Sequence, residues 1–312
     1  MKLSIVIPCF NEEEGIEQTN NTLLKLITAW VRIKLIDEYE IIYVDDGSED
    51  NTLTILRTFT LENENIKVIS FSSNFGHQAA LTAGLQHAAG DAVVSLDADL
   101  QDPPDVIETM LHKFEEGFEI VFGVRKKREK DSLFKRLTAQ FFYSLMKSMG
   151  VNLVYDHADF RLLSKRVVTE FNRYTEVNRF IRGIIPMMGF NHCTVEYERK
   201  ERFAGITKYP LKKMLSFAIE GIISFSFFPL RIAALMGFGI FSFSLILSLW
   251  ALIIKLSNKA VAGWTSTVLP IYFLGGIQLM FLGVLGEYIG KIYLEVKRRP
   301  LFIIKDKYNC ED

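Results

Sequence analysis

Four carboxylates crowd into a short stretch of the sequence, directly after an apolar run. The run Ala92–Leu96 is followed by Asp97, and Asp99, Asp102 and Asp105 come within the next eight residues. Carboxylates this close raise one another's pKa unless a cation or hydrogen bonds offset the repulsion. Mg²⁺ and Mn²⁺ are hard ions that bind carboxylate oxygens together with the phosphate oxygens of a substrate. The stretch therefore predicts a divalent metal site for a phosphorylated ligand.

Asp97 and Asp99 are the candidate metal ligands. Because side chains alternate along an extended chain, Asp-Ala-Asp places both carboxylates on one side. We expect Asp99 to bind the metal directly, while Asp97 either supports it or contacts the phosphorylated ligand. Asp102 and Asp105 flank Pro103-Pro104, and we interpret them as capping residues at the start of a helix.

The elements that must position these carboxylates alternate between strand and helix. Repeated βα units imply a mainly parallel sheet with helices on both faces, in which ligands bind beyond the carboxyl ends of the strands. The predicted strands, short and rich in β-branched residues, are Leu3–Ile7, Glu40–Val44, Lys67–Phe71, Ala92–Leu96 and Ile120–Val124. The predicted helices are Glu13–Ile27, Asn51–Leu61, His77–Ala88 and Pro104–Phe114.

Acidic residues, not glycines, follow the predicted strands. Glu12 comes after the first strand and Asp45-Asp46 after the second. A dinucleotide-binding dehydrogenase would carry Gly-x-Gly-x-x-Gly after the first strand, and the sequence has neither that turn nor a Walker A lysine loop. The strand ends therefore favour a metal-bridged phosphate ligand over a dinucleotide cofactor.

Two apolar runs near the C-terminus predict a membrane anchor. Ile232–Ile254 is 23 residues without a charge, and Val268–Gly286 is a second charge-free run; the first is long enough to cross a bilayer as a helix. The short connection Lys255–Thr267 makes them a hairpin, and the excess of basic residues on its other side predicts a cytoplasmic location for residues 1–230 and the tail. Three cysteines without metal spacing agree with reduced cytosolic thiols. A net charge of −1 gives no sign of a nucleic-acid partner.

Four motifs, each following a predicted strand, resemble those of family 2 glycosyltransferases with the GT-A fold. They are Ile7-Pro-Cys-Phe-Asn-Glu12, Val44-Asp-Asp-Gly-Ser-Glu-Asp50, Asn74-Phe-Gly-His-Gln-Ala-Ala-Leu-Thr-Ala-Gly84 and Leu96-Asp-Ala-Asp-Leu-Gln-Asp-Pro-Pro104. Within that family the chain resembles polyprenyl-phosphate glycosyltransferases, namely bactoprenol glucosyltransferases and dolichol-phosphate mannose synthases. The likeness runs from residue 3 to about residue 300, including the apolar runs.

The resemblance implies a nucleotide-sugar site with Mg²⁺ or Mn²⁺. Asp45 or Asp46 would hold the base or ribose, whereas Asp97 and Asp99 would place the metal and the diphosphate. Arg202 and Lys208 lie in a segment that would close over the diphosphate and exclude water. The full set implied for the donor nucleotide is Pro8, Asn11, Glu12, Asp45, Asp46, Asp97, Gln101, Arg202 and Lys208.

Basic residues after the fifth predicted strand are candidates for the acceptor phosphate. The segment Gly123–Arg136 holds seven basic residues, and arginine suits bidentate contacts with phosphate. We select Arg125 and Arg136 for the acceptor. The alternative is a solvated charged loop.

The segment Tyr155–Ser164 resembles the family's Asp-Thr-Gly-Asp-Phe-Arg-Leu motif, with His157 and Ala158 in place of threonine and glycine. The resemblance implies that Asp159 lies nearest the reacting atoms. A phosphate monoester loses its second proton near pH 6, so the acceptor needs no strong base. The alternative is a structural ion pair of Asp156 with Arg161. The residues taken as catalytic are Asp159, Asp99, Asp156 and Arg161.

Together these features predict an α/β GT-A Rossmann-like sheet, mainly parallel with helices on both faces, followed by an interfacial helix and a two-helix transmembrane hairpin. The parts are a catalytic domain at 1–210, the interfacial helix at 211–230, the hairpin at 231–290 with spans at about 232–254 and 268–289, and a basic cytoplasmic tail at 291–312. An integral protein of the inner or plasma membrane, forming a homo-oligomer, is expected.

The resemblance implies an inverting hexosyltransferase that moves glucose from UDP-glucose onto undecaprenyl phosphate. A mannose synthase that uses GDP-mannose is the first alternative. A non-catalytic membrane partner of a glycolipid flippase is the second. A processive polysaccharide synthase would need a Gln-x-x-Arg-Trp motif, which the sequence lacks.

Overall fold

The computed structural model describes residues 1–126, 157–177, 179–198 and 264–310, with short helical pieces at 230, 235–240, 242–243, 246 and 253. The chain divides into two compact units. The first contains residues 1–147, 152–210 and 299–312, and the second contains 148–151 and 211–298.

The first unit is built on a mixed sheet of eight strands in the order β7-β5-β6-β4-β1-β2-β3-β8. The strands are β1 Lys2–Cys9, β2 Glu38–Asp45, β3 Ile66–Phe71, β4 Ala92–Ser95, β5 Ile120–Arg125, β6 His157–Ser164, β7 His192–Tyr197 and β8 Ile304–Tyr308. Among its described residues, the helices of this unit are α1 Ile16–Arg32, α2 Thr52–Glu62, α3 His77–His87, α4 Val106–Glu115, α5 Lys165–Asn172 and α6 Ile181–Met187.

The predicted fold class is confirmed: all five predicted strands and all four predicted helices are present. Strands β1 to β4 are parallel to their neighbours within this group, so their carboxyl ends meet at one edge of the sheet. Strand β6 runs antiparallel to both β4 and β5, and β8 runs antiparallel to β3. The sequence did not predict β6, β7 or β8.

The two faces of the sheet are covered by different helices. Leu3, Ile5 and Ile7 share one core cluster with apolar residues of α1, α2 and α4. On the opposite face α3 lies unusually close to the sheet, because a Cβ on Gly84 would stand 2.2 Å from Cγ1 of Val6. Helices therefore cover both faces, as predicted.

Strand β6 brings the Asp159 segment to the functional edge. Strand β6 pairs Arg161 with Ser95, the last residue of β4. Because the two strands are antiparallel, Asp159 lies two residues beyond this pair, just past the end of β4. The Ser95 hydroxyl also donates a hydrogen bond to the Asp159 carbonyl oxygen. The chain thus returns antiparallel beside β4 and places Asp159 next to the segment that follows this strand.

The second unit contains helix α7, Trp264–Lys297. Within the described part of the chain, one segment is long and apolar enough to cross a bilayer, namely Ile277–Lys297, with a mean hydropathy of 1.3. The predicted second span, 268–289, lies within α7. Most of the predicted first span and all but one residue of the interfacial helix lie outside the described residues, so the hairpin stays a prediction.

Candidate active site

The loops after β1 and β2 are tied to one another at the carboxyl edge. The Asn11 amide donates to Oγ of Ser48 at 3.0 Å, and Asn11 Oδ1 accepts from the Glu49 amide at 2.9 Å. The Glu12 amide donates to Oγ1 of Thr52 at 2.8 Å. Asn11 has a φ of +55°, a left-handed conformation that asparagine tolerates better than most residues. Asn11 therefore fixes the shape of the loop that borders the site.

Asp45 and Asp46 are buried, and their carboxylates hold loops in place. Asp45 accepts hydrogen bonds from the Ser48 amide at 3.2 Å and from the Ser70 hydroxyl at 3.0 Å. Asp46 accepts from the amides of Phe75 at 2.7 Å and Gly76 at 2.9 Å. Burial raises the pKa of Asp46, although the two amide hydrogen bonds oppose the shift. The loops after β2 and β3 are joined through these two carboxylates.

Asp97 and Asp99 follow β4, where negative charge accumulates. Burial, together with the charges of Asp159, Asp102 and Asp99, raises the pKa of Asp97 to about 6 against the opposing effect of His77. Water still reaches 37% of the Asp97 side chain, which limits the effect of burial. Asp99 Oδ1 accepts from the Gln101 amide at 3.1 Å. Asp99 also lines a small pocket whose other residues are Glu12, Gly15, Gln18, Thr19, Ala98 and Leu100.

Asp159 lies at the centre of a cluster of three basic side chains. Arg182 donates to it in a bidentate manner, with Nε to Oδ1 at 3.1 Å and Nη2 to Oδ2 at 2.8 Å. Arg161 donates to Oδ1 through Nη2, and Nε2 of His77 lies 3.3 Å from Oδ2. Burial alone would raise the pKa of Asp159, but His77, Arg161 and Arg182 hold it well below its usual range. Asp159 is therefore ionised at neutral pH.

His77 connects Asp159 with the segment after β4. Its Nε2 lies 3.9 Å from Oδ1 of Asp97, so the imidazole stands between two carboxylates. Burial alone would lower the pKa of His77, but Asp159 and Asp97 raise it despite the opposing charge of Arg182. The side chain is 42% exposed, so a bound ligand can also reach it.

Arg125, at the end of β5, is held by a buried carboxylate. Its Nη2 lies 3.2 Å from Oδ1 of Asp102, and the Tyr197 hydroxyl donates to the same oxygen at 2.6 Å. Asp102 thus binds Arg125 and Tyr197, an arrangement that the capping interpretation did not include. Asp105 occupies the N-cap position of α4, but its side chain makes no capping hydrogen bond.

The structure brings most of the predicted site residues to one edge of the sheet. Four of the predicted residues, Asp156, Arg136, Arg202 and Lys208, lie outside the described residues. The other eleven lie at or near the carboxyl ends of β1, β2, β4 and β5 or within β6. They are Pro8, Asn11, Glu12, Asp45, Asp46, Asp97, Asp99, Gln101, Arg125, Asp159 and Arg161. Across the described ranges there is no group of three or more His, Cys, Asp or Glu side chains that could hold a metal ion by itself.

Sequence reasoning missed Arg182 and Tyr197. Neither residue belongs to a local motif, and both reach the site only because α6 and β7 fold back beside strands that are distant in the sequence. His77 was left open between a structural and a ligand-binding role. Its contacts with Asp97 and Asp159 now place it inside the cluster.

Comparisons with known proteins show the family to which the chain belongs. The family described as Glycosyl transferase family 2 matches residues 4–171. The uncharacterized glycosyltransferase YkoT of Bacillus subtilis (strain 168) is 50% identical over 98% of this chain and 92% of its own length. The SfII prophage-derived bactoprenol glucosyl transferase of Shigella flexneri is 41% identical over 99% of both chains.

A solved structure with a similar fold is a glucosyl-3-phosphoglycerate synthase from Mycobacterium tuberculosis, in complex with Mn²⁺, UDP-glucose and phosphoglyceric acid. It is 19% identical to this chain, has a TM-score of 0.46, and the match covers 71% of this chain and 77% of that one. The family match spans more than half of the chain, and the curated relatives match nearly all of it. The chain therefore belongs to glycosyl transferase family 2 and is a glycosyltransferase.

Proposed function

We propose that this protein transfers glucose from UDP-glucose to undecaprenyl phosphate at the cytoplasmic face of the membrane, with inversion at the anomeric carbon. The observation that carries the proposal is the 41% identity to a bactoprenol glucosyl transferase over 99% of both chains. Because that likeness includes the apolar C-terminal part, it extends beyond the catalytic sheet. The candidate span in α7 supports a membrane-bound acceptor.

Asp97 and Asp99 fit a hard divalent cation, Mg²⁺ or Mn²⁺. Such an ion takes one or two carboxylates from the protein and completes its coordination with water and substrate phosphates, so two carboxylates suffice. Burial is the main cause of the raised pKa of Asp97, and the charges of Asp159, Asp102 and Asp99 add to it; a cation would offset this negative charge. When bound, the ion would supply electrostatic stabilisation of the departing diphosphate.

In the proposed reaction, an oxygen of the lipid phosphate attacks the anomeric carbon of glucose. The new carbon–oxygen bond forms as the bond to the UDP oxygen breaks, and UDP leaves as the dianionic or trianionic diphosphate. The acceptor phosphate already carries the charge it needs near neutral pH. The lowered pKa of Asp159 agrees with this, because a step without a general base needs Asp159 only as an anchor for cations.

The basic residues would position the two phosphate groups. Arg125, held by Asp102 and Tyr197, is proposed to meet the acceptor phosphate together with Arg136. Arg161 and Arg182 would keep Asp159 in place beside Asp97. Arg202 and Lys208 are proposed to close over the diphosphate, which excludes water from the reacting centre.

The test is a transfer assay with the purified full-length protein in detergent. UDP-glucose, UDP-galactose, UDP-N-acetylglucosamine and GDP-mannose are offered separately with undecaprenyl phosphate and Mg²⁺ or Mn²⁺, and products are identified by mass spectrometry. We expect a single-hexose lipid from UDP-glucose and none after the metal is removed with a chelator. A hexosyl lipid from GDP-mannose alone would contradict the donor assignment. No lipid product from any donor would contradict the proposed function.

Asp99→Asn tests the metal assignment, with the exposed Asp105→Asn as the matched control. We expect Asp99→Asn to abolish the metal-dependent part of UDP-glucose binding, because it removes a carboxylate ligand. Asp105→Asn should leave binding unchanged. Retained Mn²⁺-dependent affinity in Asp99→Asn, measured by calorimetry, would show that Asp99 is not a ligand.

A further inference from the structure

Residues 301–309, here called the C-terminal brace, are fixed to the edge of the sheet. Within the brace, β8 pairs antiparallel with β3 over Val68–Phe71. The Asn309 side-chain amide donates to the carbonyl oxygens of Thr60 at 2.8 Å and Ile66 at 3.0 Å. The brace therefore contacts both β3 and the end of α2, although its strand carries mostly exposed polar side chains.

An aromatic row leads from the brace to the loop after β3. The ring of Phe302 stacks on Phe71, with centroids 4.9 Å apart and planes 8° apart. Phe71 in turn meets Phe75 edge to face at 5.8 Å. The Ser72 amide donates to the Ile303 carbonyl oxygen at 3.0 Å. The brace thus contacts the loop in two ways. It binds Ser72, the first residue of the loop, directly, and it reaches the ring of Phe75 through Phe71.

The same loop is held from its other side by the donor site. The amides of Phe75 and Gly76 donate to the carboxylate of Asp46. Gly47 packs so tightly against the loop that a Cβ there would lie 2.5 Å from the Ser73 carbonyl carbon. The loop therefore stands between the brace and Asp46, and it leads directly into His77.

We propose that Phe302 is a positioning residue for the donor-sugar site, acting through Phe71 and Phe75 on the loop that Asp46 and His77 share. This inference rests on the proposed function, because Asp46 and His77 act on the donor only if the nucleotide sugar binds at this edge. Phe302 is half-buried, whereas Phe71 is 2% exposed, so the stacked pair shields the base of the loop from water. The brace follows α7 in the chain within a few residues.

The experiment compares full-length Phe302→Ala, Phe302→Tyr and Leu61→Ala in detergent. Tyrosine keeps the stacked ring, and Leu61 is 88% exposed on α2, so it controls for the loss of an apolar side chain near the brace. Amide hydrogen exchange is followed in a peptide covering Ser72–His77 and in one covering Lys2–Ile7 of β1. The KM for UDP-glucose and kcat are measured in the transfer assay.

We expect Phe302→Ala to speed exchange in Ser72–His77 and to leave the β1 peptide unchanged. The KM for UDP-glucose should rise about 2- to 12-fold, the factor that corresponds to losing one aromatic pair, while kcat stays within about twofold. Phe302→Tyr and Leu61→Ala should match the wild type. A merely structural role would instead lower thermal stability without separating KM from kcat.

Two results would overturn the inference. Unchanged exchange in Ser72–His77 of Phe302→Ala would show that the ring does not hold the loop. Faster exchange with an unchanged KM would show that the loop does not position the donor. If the wild type uses no nucleotide sugar at all, the proposed function fails, and the exchange measurement still decides whether Phe302 holds the loop.

Discussion

Replacing Asp159 by asparagine should destabilise the first unit strongly, because this carboxylate neutralises the buried guanidinium of Arg161. Arg161 is only 1% exposed, and Arg182 contributes two further hydrogen bonds to Asp159. Removing one partner of a buried ion pair costs about 3–5 kcal/mol, since the remaining charge stays out of water. For a unit of this size, 1 kcal/mol shifts Tm by about 2–4 °C, so we expect Tm to fall by roughly 6–20 °C.

Arg182→Ala should cost much less. The Arg182 side chain is 35% exposed, so water screens its charge, and Asp159 keeps Arg161 and His77 as partners. We expect a loss of about 1 kcal/mol, or roughly 2–4 °C in Tm. The Tm of the double variant Asp159→Asn/Arg182→Ala should fall by less than the sum of the two single decreases. Once Asp159 is asparagine, Arg182 has lost this charged partner, so removing Arg182 costs less.

The measurement is thermal unfolding of the full-length variants in one detergent, with the exposed Asp105→Asn as control. That control should stay within about 0.5 kcal/mol of the wild type. A fall of less than about 3 °C for Asp159→Asn, with transfer activity lost, would refute the charge-balance argument. Asp159 would then act on the reacting groups directly. A large fall in Tm would mean that loss of activity in this variant does not identify a catalytic group.

Two further predictions concern the sheet itself. Gly84→Ala should lower the free energy of unfolding by about 1–3 kcal/mol, because the added methyl group clashes with Val6. Adding Val6→Ala should restore part of the lost stability. Equal stability of Gly84→Ala and wild type in denaturant melts would contradict this prediction. Burial alone would raise the pKa of Glu40, but hydrogen bonds from Lys67, Ser4 and the Ala89 amide lower it. Its stabilising contribution is therefore complete above the unfolded pKa of about 4.3 and is lost as pH falls through the lower folded value. The Tm difference between wild type and Glu40→Gln should shrink between about pH 5 and pH 3, and a pH-independent difference, like that expected for the exposed Glu38→Gln, would contradict it.

The central part of the fold was predictable because its strands are buried on both faces. Such strands appear in the sequence as short β-branched runs, and β1 to β5 were found at nearly their observed bounds. The acidic residues could be placed at the ends of the strands because the strands themselves were located correctly. The repeated βα units supplied the rest of that inference, since they imply parallel strands, whose carboxyl ends lie at the same edge of the sheet.

The strands β6, β7 and β8 were not predicted, because polar or charged residues interrupt their apolar sequences. β6 carries Asp159 and Arg161 on the face that points to the site, which breaks the apolar run. β7 and β8 are the two outermost strands. β8 is mostly charged, and β7 is a short strand that alternates between exposed polar and buried apolar residues, so neither forms a continuous apolar run like β1 to β5. The contact of Arg182 with Asp159 could not be predicted either, because it depends on the antiparallel return of the chain.

The strand order also places two native cysteines where they can report the width of the sheet. Cys193 belongs to β7 and Cys310 lies two residues after the end of β8, so two partly exposed thiols mark the opposite margins of the eight strands. Burial raises the pKa of all three thiols, but only Cys9 is fully buried and has its pKa raised well above the usual range, so it is the least reactive toward alkylating labels. Seven spacings of about 4.8 Å put the two margins roughly 34 Å apart. A pair of spectroscopic labels on the native cysteines would therefore report the width of the sheet without any engineered site.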